Sequence, residues 1–214
     1  MTKEKEERRL TAKEESRRAA FTQLKEELSA QGYIQQDLTL SAAKINIISI
    51  LVTLPIIVVA TIIYAILHGM PIGSFSGRKF ILFYIFLLLS FVIHEGIHGL
   101  TWSRFCKKGW KAIDFGMIWK YLTPYCTCNE CLNYKQYKIG ALMPTIILGG
   151  LSYMLALVMG SYGILFYSIL MIVGGGGDLC IILLIRKHKE AIFIDHPWEP
   201  GCVAFEKEDR VHIA

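Results

Sequence analysis

The chain has 214 residues, of which 53% are hydrophobic and only 19% are charged. A soluble domain of this length does not need long uncharged segments, so the composition argues against a soluble domain and indicates an integral membrane protein. The formal net charge of +5 fits basic loops beside anionic lipid better than nucleic-acid binding, so we expect no nucleic-acid partner.

The charge and hydropathy patterns divide the chain into three parts. Residues 1–44 are rich in Glu, Lys and Arg and predict a charged helix outside the membrane. Residues 45–186 contain the apolar segments, and residues 187–214 form a polar tail. Four segments are long enough to span a bilayer, and they cover residues 45–67, 80–102, 139–159 and 163–185. The predicted fold class is an all-α integral membrane protein with about four transmembrane helices.

The distribution of basic residues predicts the orientation of the chain. Four spans place the N-terminal segment, the connection 104–138 and the tail on one side. Together with Arg186, which directly precedes the tail, these hold all of the 23 Lys and Arg residues except Arg78 and Lys79. The positive-inside rule then places both termini in the cytosol, and we expect a bacterial plasma membrane. Residues 112–125 have some strand character, which predicts a partly extended cytosolic loop whose edge could receive an extended substrate.

The second predicted span carries the sequence His94-Glu95-Gly-Ile-His98. Residues four apart share one face of a helix, so the two imidazoles can bind one ion. Glu95 can reach water bound to that ion, which is the position of a general base. A haem site is disfavoured, because two histidines on one helix face cannot clamp a haem from opposite sides.

A second polar insertion follows a run of four glycines, Gly174-Gly-Gly-Gly-Asp178, in the fourth predicted span. Glycines at these positions favour close helix packing or a local break. At 1.5 Å per residue, His94 lies roughly 21 Å into its span and Asp178 roughly 22 Å into its own. The similar depths predict one zinc ion per chain, bound by His94, His98 and Asp178. The alternative is that Asp178 is a helix-packing acid bonded to polar neighbours.

A cytosolic segment that folds back could supply the third ligand instead. The residues that could do so are Glu130, Asp195 and His196. The imidazole of this set precedes a proline, which is also typical of a turn.

A cysteine cluster in the connection offers a possible second metal site. Its members are Cys126, Cys128 and Cys131. Three thiolates in six residues could bind a structural zinc, although the spacing lacks the usual second pair. The other interpretation is a set of reduced cysteines in a tight loop.

The chain resembles a family of zincin peptidases with membrane-embedded sites and, more distantly, site-2 proteases. The resemblance covers residues 80–205, and the residues that carry it are His94-Glu95-x-x-His98, Gly174-Gly-Gly-Gly-Asp178, Tyr125-Cys126, Lys135-x-x-Lys138, Ala141-x-x-Pro144 and Asp195-His196-Pro197. The chain departs from site-2 proteases because no Asn-Pro-Asp-Gly sequence surrounds Asp178. That departure leaves the group that stabilises the oxyanion unassigned.

The resemblance implies a zinc-dependent endopeptidase that acts on a membrane protein or peptide within or next to the membrane. It implies that His94, His98 and Asp178 are the ligands and that Glu95 is the base. Two other functions fit the same residues: a non-catalytic metal-binding membrane scaffold, and a membrane metallohydrolase of non-peptide substrates. The oligomeric state does not follow from the sequence.

Overall fold

A computed structural model gives the structure of residues 12–70, 77–118, 123–197 and 199–208. Helices account for most of it. They are α1 (Ala12–Ala30), α2 (Ala42–His68), α3 (Gly77–Ser103), α4 (Tyr134–Pro144), α5 (Ser152–Met159), α6 (Tyr162–Gly174) and α7 (Gly176–Ile185). A π-helix, Thr145–Leu151, joins α4 to α5, so these residues form one continuous helical segment.

The four predicted spans each correspond to a helical segment of the structure. Three segments are long and apolar enough to cross a membrane: Ala42–His68, Phe80–Ser103 and Tyr134–Met159. The α6–α7 pair is bent by 41° and would make a fourth span. Large apolar side chains on α2 and α3 are exposed, among them Leu51 and Leu82, as expected of helices that face lipid. These helices are compatible with a membrane protein.

The all-α prediction was wrong in one respect, because the fold includes a four-stranded antiparallel sheet. Its strands in spatial order are β1 (Tyr33–Thr39), β6 (Gly201–Lys207), β5 (Ile192–Asp195) and β4 (Leu132–Asn133). They come from the charged N-terminal segment, the connection and the tail. Strand β6 lies in the segment for which the sequence predicts only a polar tail. A short apolar run bounded by charges has no periodicity that identifies a strand.

The sheet is covered on both faces. Val203 and Phe205 of β6 pack against Phe21 and Leu28 of α1. The other face of the sheet, including Cys202 and Ala204, packs against Trp102 of α3 and Tyr137 of α4. The sheet is therefore a layer between the N-terminal helix and the end of the bundle where α3 finishes and α4 begins.

The prediction of an extended loop is confirmed. Strands β2 (Ile113–Ile118) and β3 (Thr123–Cys128) pair antiparallel, with Phe115 opposite Cys126. A Cβ atom at Gly99 of α3 would lie 2.6 Å from the Phe115 ring. The hairpin therefore packs closely on the helix that carries the histidine motif.

A capping box fixes the start of α4. The Asn133 side chain accepts a hydrogen bond from the Gln136 backbone N–H at 3.0 Å, and the Gln136 side chain accepts from the Asn133 N–H at 3.0 Å. Reciprocal capping satisfies backbone donors that the first helical turn leaves unpaired. The capping box thereby sets where β4 ends and how α4 leaves the sheet.

The glycine run produces both of its predicted effects, a helix break and close packing. A Cβ atom at Gly175 would lie 1.9 Å from Thr145 Oγ1, and one at Gly176 would lie 2.7 Å from the Ser49 Cβ of α2. Asp178 lies in the first turn of α7. Its carboxylate is stabilised there by the positive end of the helix dipole.

Substitution of Gly176 tests this packing. Gly176→Ala should lower the melting temperature in detergent by about 3–10 °C, because overpacking a close helix contact costs about 1–3 kcal/mol. Gly177→Ala is the matched control, since nothing lies within 4 Å of a Cβ built at Gly177. Equal melting temperatures for both variants would contradict the close packing of α7 on α2.

Candidate metal centre

Two helices bring His94, His98 and Asp178 together. His94 Nε2 lies 3.1 Å from Asp178 Oδ2, and His98 Nε2 lies 3.3 Å from Asp178 Oδ1. The potential ligand atoms of the three residues all lie within 4.8 Å of one another. Both imidazoles are buried, so the cluster is a compact set of nitrogen and oxygen atoms inside the bundle.

The hydrogen bond of His98 to a backbone carbonyl determines its tautomer. The tautomer decides which ring nitrogen offers a lone pair to the cluster. His98 Nδ1 lies 2.9 Å from the carbonyl oxygen of Gly140. A carbonyl only accepts, so Nδ1 carries a proton and donates it. In the neutral ring, Nε2 then presents its lone pair to Asp178. This arrangement, a backbone carbonyl behind a histidine, is typical of metal-ligating imidazoles.

The chemistry of the cluster fits a divalent cation. Lone pairs of imidazole nitrogens and carboxylate oxygens that face one another need a positive charge between them, either a proton or a metal ion. Two imidazoles and one carboxylate are ligands that zinc uses in catalytic sites, which leave a further position open. The residues present therefore fit the zinc ion that the sequence predicts.

Trp102 and Gly140 support His98. The Trp102 ring stacks on the His98 ring with a centroid distance of 5.0 Å and an angle of 15°. A Cβ atom at Gly140 would lie 1.9 Å from Trp102 Nε1, so only glycine lets the indole pass beneath α4. Neither residue was predicted. The spacing His94, His98, Trp102 places all three on one helix face, which is the signal that could have indicated Trp102.

Glu95 is half-buried on α3 beside the cluster. Its carboxylate interacts electrostatically with His94, His98 and Asp178, and it lies close to the backbone of Cys126 in β3. Strand β3 thus contacts the carboxylate that the sequence assigns as general base.

The residues of this site all lie in one segment that a known protein family shares. A family model described as "Putative zincin peptidase" matches residues 87–193. The chain belongs to this zincin family. Comparisons with curated proteins and with solved structures gave no match. Membership confirms the zincin resemblance and indicates a zinc metallopeptidase.

The alternative third ligands predicted for this chain lie elsewhere and have other partners. The Glu130 carboxylate accepts from the backbone N–H groups of Lys107 and Lys108, at 2.7 and 2.9 Å, and so closes the turn after α3. His196 Nδ1 accepts from the Glu199 N–H at 2.9 Å, as expected for the turn interpretation. Within the ranges that the structure describes, neither residue joins the metal-competent cluster.

The cysteines do not form a second cluster of metal ligands in the described part of the chain. All six are free, and Cys128 Sγ lies 3.3 Å from Cys106 Sγ. Burial raises the pKa of the Cys131 thiol to about 11 and raises the pKa values of Cys126 and Cys128 further. These thiols are protonated at neutral pH, which favours the interpretation of reduced, structural cysteines.

Asp195, the remaining alternative ligand, is a half-buried carboxylate at the end of β5. Its Oδ2 accepts from the Cys128 N–H at 2.7 Å, and its Oδ1 accepts from the Tyr137 hydroxyl. Burial raises its pKa to about 6, although these two hydrogen bonds and the nearby charges of His98 and Arg17 oppose the increase.

Metal analysis tests the ligand set. Purified wild-type protein should contain about one zinc per chain, and His94→Ala and Asp178→Ala should lose it, because two ligands hold zinc poorly. His196→Ala and Glu130→Gln are controls that should retain it. Zinc that is retained in Asp178→Ala but lost in a control would move the third ligand to that control position.

The raised pKa of Asp195 predicts a pH dependence of stability. The folded state binds this proton more tightly than the unfolded state, so Asp195 lowers the free energy of unfolding as pH rises through its pKa of about 6. Asp195→Asn removes this contribution. The melting temperature of the wild type should fall by about 5 °C more than that of the variant between pH 4.5 and 7. Parallel curves would contradict the raised pKa.

Proposed function

We propose that the protein is a zinc-dependent endopeptidase that cleaves peptide bonds of membrane proteins within or next to the membrane. The observation that carries the proposal is the convergence of His94, His98 and Asp178, with the Glu95 carboxylate beside them on α3. Membership of the zincin family supports peptide-bond hydrolysis as the reaction.

Each residue of the site has a defined role in this proposal. His94, His98 and Asp178 would hold the zinc ion. The ion supplies Lewis-acid chemistry, since it polarises a carbonyl oxygen and makes water easier to deprotonate. Glu95 takes the proton from the attacking water and passes it to the leaving amine. The backbone N–H of Cys126, which faces the Glu95 carboxylate, would help to orient it for both transfers.

The positions of the site and of the basic residues support a substrate that lies in a bilayer. The histidine motif lies within a helix that is apolar enough to span a membrane. Along the sequence, all Lys and Arg residues except Arg78 and Lys79 belong to residues 1–44, 104–138 and 186–214, the parts of the chain that also supply the strands of the sheet. We therefore infer that this end of the bundle and both termini are cytosolic. A substrate helix has to unwind there, because a helical backbone has already satisfied its hydrogen-bonding groups.

The outer edge of β3 is partly closed to an extended substrate. The N–H groups of Cys126 and Cys128 point to this edge, and Glu95 and Asp195 engage them. Pro124 on the same edge has no N–H to donate. A substrate could therefore add to β3 at Cys126 only if Glu95 releases that N–H group.

The Glu95→Gln variant tests the proposed reaction. It should retain about one zinc per chain but lose cleavage by about 10²–10⁴-fold, which is the usual contribution of a general base. Cleavage is measured by mass spectrometry with single-span model peptides reconstituted with the protein in lipid vesicles. Glu27→Gln, on the exposed face of α1, is the matched control and should cleave like the wild type.

Two outcomes would contradict the proposal. Full cleavage by Glu95→Gln would remove the carboxylate from the reaction. A zinc-loaded wild type that cleaves none of the peptides would favour the non-catalytic scaffold.

A further inference from the structure

The Asp195 carboxylate lies outside the candidate metal centre but connects β3 and α4, two elements that contact the centre. Asp195 accepts from the N–H of Cys128 in β3 through Oδ2, at 2.7 Å, and from the hydroxyl of Tyr137 in α4 through Oδ1. It lies beyond the segment that the zincin family model matches. Because one residue fills both acceptor roles, β3 and α4 cannot move apart without breaking a partly buried hydrogen bond.

Through its hydrogen bond to β3, Asp195 is connected to Glu95, the proposed general base. Cys126 and Cys128 are two residues apart in an extended strand, so their N–H groups point to the same edge. Asp195 holds the second of these groups, and the first faces the Glu95 carboxylate. The position of the strand edge at Asp195 therefore sets the position of the Cys126 N–H group that faces Glu95.

Through its hydrogen bond to α4, Asp195 is connected to His98, a proposed metal ligand. Tyr137 and Gly140 are three residues apart in α4, which is close to one helical turn. The Gly140 carbonyl accepts from His98 Nδ1 at 2.9 Å. A shift of the Tyr137 end of α4 would move this carbonyl and weaken its control of the His98 ring.

A column of stacked rings provides a second connection between the sheet and His98. It runs from His98 through Trp102 and Tyr137 to Phe193, with successive centroid distances of 5.0, 5.5 and 5.6 Å and ring angles of 15°, 23° and 26°. Phe193 belongs to β5, the strand that ends at Asp195. The sheet thus meets the metal centre through stacked rings and through the Asp195 carboxylate.

The N-terminal helix reinforces the same junction. Arg17 of α1 donates to Thr127 Oγ1 at 3.3 Å and to the Pro197 carbonyl. Its positive charge also stabilises the Asp195 carboxylate. The junction is therefore held from α1, β3, α4 and β5 together.

We propose that Asp195 is a positioning residue of the metal centre, which fastens β3, whose backbone faces Glu95, to α4, whose backbone faces His98. The proposal rests on the proposed zinc site. It assigns to the sheet a role in organising the centre that goes beyond holding the fold together. Asp195 itself does not contact the ligand cluster and takes no proton in the reaction.

Zinc affinity separates positioning from a purely structural role. Asp195→Asn keeps the shape of the side chain, but its single oxygen can accept from only one of the two donors. We expect zinc to bind about 10–100-fold more weakly, as is usual when groups behind metal ligands are lost. Tyr137→Phe keeps the ring in its column and removes one donor, so its loss should be smaller.

The control variant weakens the same sheet away from the site. Glu206→Gln on β6 removes the carboxylate whose Oε1 lies 3.1 Å from His188 Nδ1. It should lower the melting temperature without changing zinc affinity. Affinities are measured by competition with a chelating dye, at temperatures well below each variant's melting point. Weaker zinc binding by Asp195→Asn and Tyr137→Phe, but not by Glu206→Gln, is the expected result.

Wild-type zinc affinity in both Asp195→Asn and Tyr137→Phe would overturn the proposal and leave the peptidase function standing. If Asp195→Asn does not fold, Tyr137→Phe alone decides, and an unchanged affinity overturns the proposal. The measurement needs no substrate, so a wild type that binds zinc but cleaves no peptide still tests the role of Asp195. A wild type that binds no zinc would overturn both proposals.

Discussion

The rest of the structure depends on the electrostatic interaction of a carboxylate with two imidazoles inside an apolar bundle. Asp178 faces His94 and His98 at 3.1 and 3.3 Å, and these groups are costly to remove from water without a compensating positive charge. The surrounding helices hold the three groups together and leave room for a cation. A metal ion is the cation that best explains why three such groups meet at this depth.

Three glycines, which have no side chain, allow the close packing around this cluster. Gly175 and Gly176 let the start of α7 approach the π-helix and α2, and Gly140 lets the Trp102 indole pass beneath α4. The break at Gly175 also turns a helix N-terminus towards the site, where it stabilises the Asp178 carboxylate. Close approach, a helix end and an aromatic support thus come from three glycines at three different contacts.

The sheet and the β2–β3 hairpin link the metal centre to parts of the chain outside the helical bundle. The edge of β3 presents successive outward N–H groups to Glu95 and Asp195. The same edge therefore faces the proposed general base and joins the sheet core. Because α1 and β5 also meet there, contacts made by the N-terminal segment and the tail reach the candidate centre through partly buried interactions.

Local patterns in the sequence determined much of this protein. Helical spacing placed His94, Glu95 and His98 on one helix, hydropathy located the helical segments, and the glycine run before Asp178 indicated the break and close contact in α6–α7. Only the tertiary structure decided that β1, β5 and β6 form a sheet, that the Gly140 carbonyl orients His98 and that Asp195 joins β3 to α4. These contacts connect residues far apart in the chain, so no local pattern marks them. Most of them also use backbone groups, which every residue type supplies.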